Sequence, residues 1–485
     1  MRALPASLKS GVLASTAGVF GSAFLWLLSF KAMAYWMGPE GVGLFSQLRQ
    51  MAQAATVGAT FGGTNSVVQG LAERRDEAAR RQFRATAARL IGLSGAAVVL
   101  AIAAAAPQLT QFFLSSQAPE LVATVRWIAL AVLLNVAGTY ALAVLNGYRS
   151  YHYLALAQIA GPVALVALLA FAGWWRLAPD PELLAAAFVL CFGVTCLVGA
   201  WGVSRLPGLA AGAARPEPLP KAQSRAFVRF ALSNLVAALS TTIALLLIRS
   251  WVIEAKGLAF AGLFDAGWTL TFNYTTLFLT ACSAIYLPML TAATRPEAQK
   301  ACMLKTAYLV LGASILICHA MVLLKAPLIT LLYSPQFQAS GQVLMVLVIA
   351  VIFRGASWVY GTMILATRNS RVLVVSDVAL NLSLLAATRY ALGSFGSLEA
   401  LSWAFVVPNF LYLVFVVEYA RMKNKLMRRR QIWPFLAAGT APLFYLAFAS
   451  AGPQSAYSEL ATWLCLAMGV AASLAALFAY KKVVL

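Results

Sequence analysis

The chain has 485 residues, 62% of them hydrophobic and 11% charged, with a formal net charge of +21 and a mean hydropathy of +0.82. Soluble domains run closer to about 45–50% apolar and 25% charged, so this composition excludes a soluble globular protein. Long apolar runs, rather than short alternating segments, exclude a membrane barrel and predict an all-α, polytopic membrane protein.

The first apolar run, 11–36, follows Arg2 and Lys9. It exceeds the roughly 7–15 apolar residues of a signal peptide and predicts an uncleaved first helix. Next comes "AYWMGPEGVGLFSQLRQ" at 34–50, in which Gly38, Pro39, Gly41 and Gly43 predict a tight outer hairpin between two spans. Arg49 then falls about one and a half turns into the second span, where a charge costs roughly 2.5–3.5 kcal/mol. Further spans are expected near 43–70, 86–105, 121–146, 152–173, 183–204, 227–253, 261–287, 303–324, 341–366, 371–391, 398–420, 433–451 and 459–480, which makes fourteen. The connections between them leave no room for a soluble domain. Gly62-Gly63, Pro162 and Pro408 are candidate bending points. The cysteines Cys191, Cys196, Cys282, Cys302, Cys318 and Cys465 form no C-x-x-C pair, which fits small core residues.

Lys and Arg orient the spans. With the N-terminus in the cytoplasm, the opposite side receives five of the 36 basic residues (Arg126, Arg176, Lys256, Lys325 and Arg389). Four more, Lys31, Arg49, Arg249 and Arg354, lie inside spans, leaving 27 on the cytoplasmic side. That asymmetry follows the positive-inside rule, supports an even number of spans and places both termini in the cytoplasm. Most of the positive charge therefore sets topology and attracts anionic lipid. No basic segment interleaved with exposed aromatics signals a nucleic-acid partner.

An internal repeat runs at one offset. "GVGLFSQ" at 41–47 aligns with "FAGLFDA" at 260–266, a shift of 219 residues, and the same shift brings "LSSQ" (114–117) onto "YSPQ" (333–336) and "NGYRS" (146–150) onto "LATRN" (365–369). Six helices thus repeat as six, in the same orientation, which is a transporter architecture with a cavity between two lobes. The expected division is a first lobe over 1–204, a cytoplasmic linker at 205–225, a second lobe over 226–421 and a basic loop with a helix pair over 422–485.

Under the shift, Arg249 falls beside Lys31, Asp265 falls near Arg49, and Arg354 falls on Asn135. Matched polar positions in two lobes point to a shared cavity. The competing reading lets Lys31, Arg49 and Arg249 snorkel to the outer interface, with Asp265 pairing Arg249. A cluster of cations with few acids suits an anionic substrate, above all phosphate, which Arg grips through two hydrogen bonds. Gln47, Gln50, Gln53, Asn65, Gln69, Asn135, Asn273 and Tyr274 are available to sugar hydroxyls. Asp265 and Asp377 are the candidates for ion coupling.

Enzyme signatures are missing: there is no GxxxxGK[ST] loop, no HExxH and no GxSxG, and His152 and His319 stand alone. No catalytic residue, metal or cofactor is expected. The outer loops are short and hold few acids, which argues against a glycan polymerase. A drug or small-solute exporter on the same fold would favour acids in its cavity, and this chain favours bases.

"YWMGPEGVGLFSQLRQ", "GGTNSVVQGLAE" (62–73), "LNGYRS" (145–150) and "GLFDAGWTL…AIYLPML" (262–290) resemble the polysaccharide flippases of the MATE-like exporter superfamily. The most similar branch moves O-antigen or enterobacterial-common-antigen units. The resemblance covers the first twelve spans. The two additional spans resemble the related lipid II flippases. It implies a bacterial inner-membrane protein that carries an undecaprenyl-pyrophosphate-linked oligosaccharide from the cytoplasmic to the periplasmic leaflet by alternating access. Membrane lipids, polysaccharide polymerase and chain-length proteins are the implied partners.

Overall fold

The computed structural model describes residues 6–62, 65–74, 76–178, 180–206, 221–293, 295–366, 369–423, 431–451 and 459–484. Arg75, Arg368, Gly63, most of the linker (207–220) and the basic run from Lys425 to Arg430 lie outside the described residues.

Every described element is helical. The order is α1 (Ala6–Ala59), α2 (Asn65–Ala72), α3 (Glu77–Ala104), α4 (Ala106–Leu114), α5 (Pro119–Gly147), α6 (Tyr151–Trp174), α7 (Pro181–Ser204), α8 (Lys221–Trp268), α9 (Tyr274–Ala292), α10 (Pro296–Leu323), α11 (Lys325–Leu332), α12 (Ser340–Ala366), α13 (Ser370–Ser394), α14 (Leu398–Lys423), α15 (Trp433–Ala451) and α16 (Glu459–Val484). Among the described residues, ten helices are long and apolar enough to cross a membrane. The first of these, α1, holds the first expected span and most of the second. The seventh and eighth expected spans fall on α8 and α9, and α15 is a shorter apolar helix over Trp433–Ala449.

Local chemistry sets the ends. Proline opens α5, α7 and α10 in the first turn, where its missing N–H breaks no bond. Asp76 caps α3 by accepting from the Ala79 amide at 3.1 Å, and Asp180 caps α7 by accepting from Glu182 at 2.8 Å.

The expected outer hairpin takes a different form. Helix α1 breaks at one residue, Gly38, with φ 65° and ψ −159°, and its second arm starts at once with Pro39. Gly41 and Gly43 remain helical, because proline is tolerated at the first helical position and leaves them nothing to turn. Helix α8 breaks the same way at Gly257, with φ 84° and ψ 173°. Gly257 lies 219 residues after Gly38, which is the shift of the sequence repeat. The shift also carries the bounds of α3 onto those of α10, and α4, α5, α6 and α7 onto α11, α12, α13 and α14 within two residues. One departure is local: a π-helical turn, Thr269–Asn273, joins α8 to α9. Of the other bending points, Gly62 has a positive φ of 85° just past the end of α1. Pro162 and Pro408 lie within α6 and α14.

By packing, the chain divides into two compact units, Met1–Ala259 and Phe260–Leu485. The first takes in the whole of the first repeat together with 221–257, the opening arm of the second. In its core Phe45 stacks on Phe188 at 4.9 Å and meets Phe30 edge-on at 5.1 Å. At its basic end, Arg74 lies over Phe83 and Arg80 over Tyr148, whose hydroxyl donates to Glu77 at 2.8 Å. Burial and the Glu77 carboxylate push that phenol up to about 12, so it stays a neutral donor at physiological pH. In the second unit α12 is the central helix, packed against α10, α14 and α15, while α16 covers α10.

Candidate functional site

In the first unit the second arm of α1 carries Gln47, Arg49 and Gln50. The structure brings Gln50 and Arg249 together: the Arg249 guanidinium donates to Gln50 Oε1 at 2.8 Å, and Gln50 Nε2 donates to the Thr242 carbonyl at 3.0 Å. Both side chains are nearly inaccessible, Arg249 at 4% and Gln50 at 5% exposure. A neutral amide accepts from the guanidinium without carrying a charge of its own. Arg249 is thus buried within the first unit.

Arg49 lies over two aromatic faces, 5.4 Å from the Trp26 ring centre and 5.0 Å from that of Phe30. A guanidinium keeps its fork of donors while its flat face stacks. Lys31 lies 6.0 Å from the Tyr35 ring centre. Asn135, on α5, donates to the Thr56 hydroxyl of α1 at 2.9 Å and accepts from Thr139 at 3.5 Å. Asn65 is exposed at the start of α2 and joins none of these bonds.

In the second unit three helices bring Arg354, Asp377 and Tyr412 together. The Tyr412 hydroxyl donates to Asp377 Oδ1 at 3.2 Å, and the Arg354 guanidinium lies 5.6 Å from the Tyr412 ring centre, within electrostatic reach of Asp377. A half-buried carboxylate, a phenol and a guanidinium from three helices thus share one cluster. Asp265 is fully buried just before the π-helical turn and accepts from Thr269 at 3.4 Å.

Thr56, Thr242 and Tyr412, together with the ring partners Trp26 and Phe30, were not legible as site residues in the sequence. One signal was available: the repeat shift carries Asp377 back onto Gln158, another polar residue within an apolar helix. Gln158 Oε1 is buried and has no hydrogen-bond partner among the described residues. Among the described residues, no group of His, Cys, Asp and Glu has the arrangement of a metal site.

The described fold and polar clusters can be set beside known proteins. Residues 8–294, more than half of the chain, match the family described as polysaccharide biosynthesis protein. The chain belongs to that family. No curated protein sequence matches it. Among solved structures it is similar to a multidrug resistance MATE family transporter of the MOP superfamily in an inward-facing conformation, with a TM-score of 0.68 at 16% identity, covering 85% of this chain and 94% of that one. It is also similar to the lipid II flippase MurJ in an inward closed conformation, with a TM-score of 0.64 at 13% identity, covering 98% and 100%. A third likeness is a MOP superfamily transporter from Pyrococcus furiosus described as having a binding pocket of reverse polarity, with a TM-score of 0.63 at 17% identity, covering 85% and 94%. These structural likenesses show a shared fold. A match over 98% of the chain leaves too few residues aside to omit α15 and α16, so the helix pair belongs to the MurJ-like form of that fold. The protein is a multi-pass membrane protein.

Proposed function

We propose that this protein is a flippase that moves an undecaprenyl-pyrophosphate-linked oligosaccharide from the cytoplasmic to the periplasmic leaflet of a bacterial inner membrane. The observation that carries the reading is membership of the polysaccharide biosynthesis family in a chain that keeps arginines within apolar helices. A sugar chain and a pyrophosphate cannot cross about 30 Å of hydrocarbon unaided. Arg49, Lys31 and Arg249 of the first unit and Arg354 of the second supply the cationic field for the pyrophosphate, Gln50 holds Arg249 in place, and Asn65 and Asn135 are the candidate partners of sugar hydroxyls. The lobes over 1–204 and 226–421 alternate access, and the polyprenyl tail stays in lipid. A membrane potential negative inside favours outward movement of the anion by about 2.3 kcal/mol per charge per 100 mV. Asp265 and Asp377 are the candidate coupling groups, Asp377 through its bond to Tyr412. Both termini are cytoplasmic, no catalytic step is assigned, and polysaccharide polymerase and chain-length proteins receive the product.

A null strain complemented with Arg49→Ala or Arg354→Ala provides the test. The expected result is loss of surface polysaccharide while the variants reach the membrane at wild-type levels and lipid-linked units accumulate on the inner leaflet. Full restoration by both variants overturns the cationic reading.

A further inference from the structure

The first unit holds a cavity at the end of α3 opposite Arg74 and Arg80. Helix α3, about 42 Å long at 1.5 Å per residue, separates this end from Arg74 and Arg80. The short helix α4 and the last turns of the first arm of α8 border an open cavity of about 710 Å³, lined by Gln108, Gln111, Gln117, Phe112, Trp251 and Glu254 among others. That volume is within the range of about 300–1,000 Å³ typical of ligand sites.

Hydrogen bonds fix the walls. Ser250 donates to the Phe112 carbonyl at 2.6 Å, and Gln47 donates to the Phe113 carbonyl at 3.0 Å. These carbonyls belong to the last turn of α4, which has no helical donors of its own, so α4 is tied to α8 and α1 at successive residues. The ring of Phe112 sits edge-on to Phe113 at 4.9 Å and leaves a face exposed.

The lining has a defined chemistry. Three primary amides each donate and accept, as a sugar hydroxyl also does. Two aromatic rings offer flat apolar surfaces to the C–H faces of a pyranose. The one charged lining group is the Glu254 carboxylate, which repels phosphate. The second repeat keeps only part of this lining: its short helix α11 has Pro327, Thr330 and Leu331 where α4 has Gln108, Gln111 and Phe112, while Gln336 matches Gln117. There Gln338 is spent on the Thr330 hydroxyl and the Ala326 carbonyl.

We propose that this cavity is a saccharide-binding subsite that holds the neutral sugar chain of the substrate away from its pyrophosphate. The proposal rests on the reading of the protein as a glycan carrier, and free sugar binding tests it apart from translocation. The full-length protein in lipid nanodiscs is titrated with maltotriose and with N,N′,N″-triacetylchitotriose, followed by saturation-transfer NMR. Saturable binding of at least one trisaccharide is expected, weakened at least five-fold in Trp251→Leu and in the double variant Gln108→Leu/Gln111→Leu, and unaffected by inorganic pyrophosphate. The double variant alters only exposed side chains, so it keeps the fold. Absence of binding by both sugars, binding unchanged in both variants, or displacement by pyrophosphate overturns the proposal. Loss of binding in variants of a protein that moves no lipid-linked glycan would leave the subsite standing and remove the flippase.

Discussion

Helices α3 and α10 occupy the same place in the two repeats and meet different surroundings. In the most apolar window of α3 only 17% of residues are buried, against 56% in α10. Leu93 and Leu100 of α3 are 71% and 69% exposed. The repeat shift places Gly312 and His319 of α10 at those two positions, and both face α16. Ser473 of α16 donates to the Gly312 carbonyl at 2.6 Å, and the His319 ring packs against Gly469. Leucine facing lipid loses nothing, since hydrocarbon is as apolar as leucine, whereas a helix–helix contact in the membrane depends on small residues and hydrogen bonds. The backbone is duplicated, and the side chains decide which copy is covered.

Removing α15 and α16 breaks this comparison most severely. It strips the cover from α10 and turns the His319 ring, whose Nδ1 contacts the Ile315 carbonyl at 2.8 Å, towards hydrocarbon. The expected outcome is a fall in detergent melting temperature of more than about 10 °C, or failure to accumulate in the membrane. An unchanged melting temperature would make the helix pair an ornament. Gly469→Leu is the next largest: a Cβ there collides with the His319 ring, and overpacking costs about 1–3 kcal/mol. Thermal unfolding of the intact chain measures it.

Gly38→Ala and Gly257→Ala sharpen the comparison from the other side, because here the copies agree. Both backbones lie in a region that only glycine adopts freely, so each substitution costs about 1–3 kcal/mol. A Cβ on Gly257 meets nothing within 4 Å, so its penalty is purely conformational. Similar losses at the two positions support the repeat, and a neutral Gly257→Ala contradicts it. Leu100→Ala, on the bare face of α3, is expected to change unfolding by less than about 0.5 kcal/mol.

Much of this architecture was legible in the sequence. Apolar runs place the spans, and three short matches at one shift anticipate that α3 recurs as α10 and Gly38 as Gly257. The turn around Pro39 was legible as a hairpin but not as a one-residue break, since glycine marks where a chain can turn, not where it must. Side-chain pairings were harder. Arg249 was legible as a cation within a span, but its hydrogen bond with Gln50 was not, because partnership across helices depends on how each is rotated about its axis. The cluster of Arg354, Asp377 and Tyr412 draws on three helices, and no spacing along the chain reports that convergence.

The central claim is that cations within the apolar helices carry an anionic, lipid-linked glycan across the bilayer. It is tested most directly in proteoliposomes holding the full-length protein and a fluorescent undecaprenyl-pyrophosphate oligosaccharide confined to one leaflet. Transfer is scored by an enzyme that cleaves only glycan exposed on the other side. The account predicts transfer well above empty liposomes for the wild type and at least a ten-fold slower rate for Arg49→Ala/Arg354→Ala. Wild-type transfer no faster than empty liposomes, or an unchanged rate in the double variant, would contradict it.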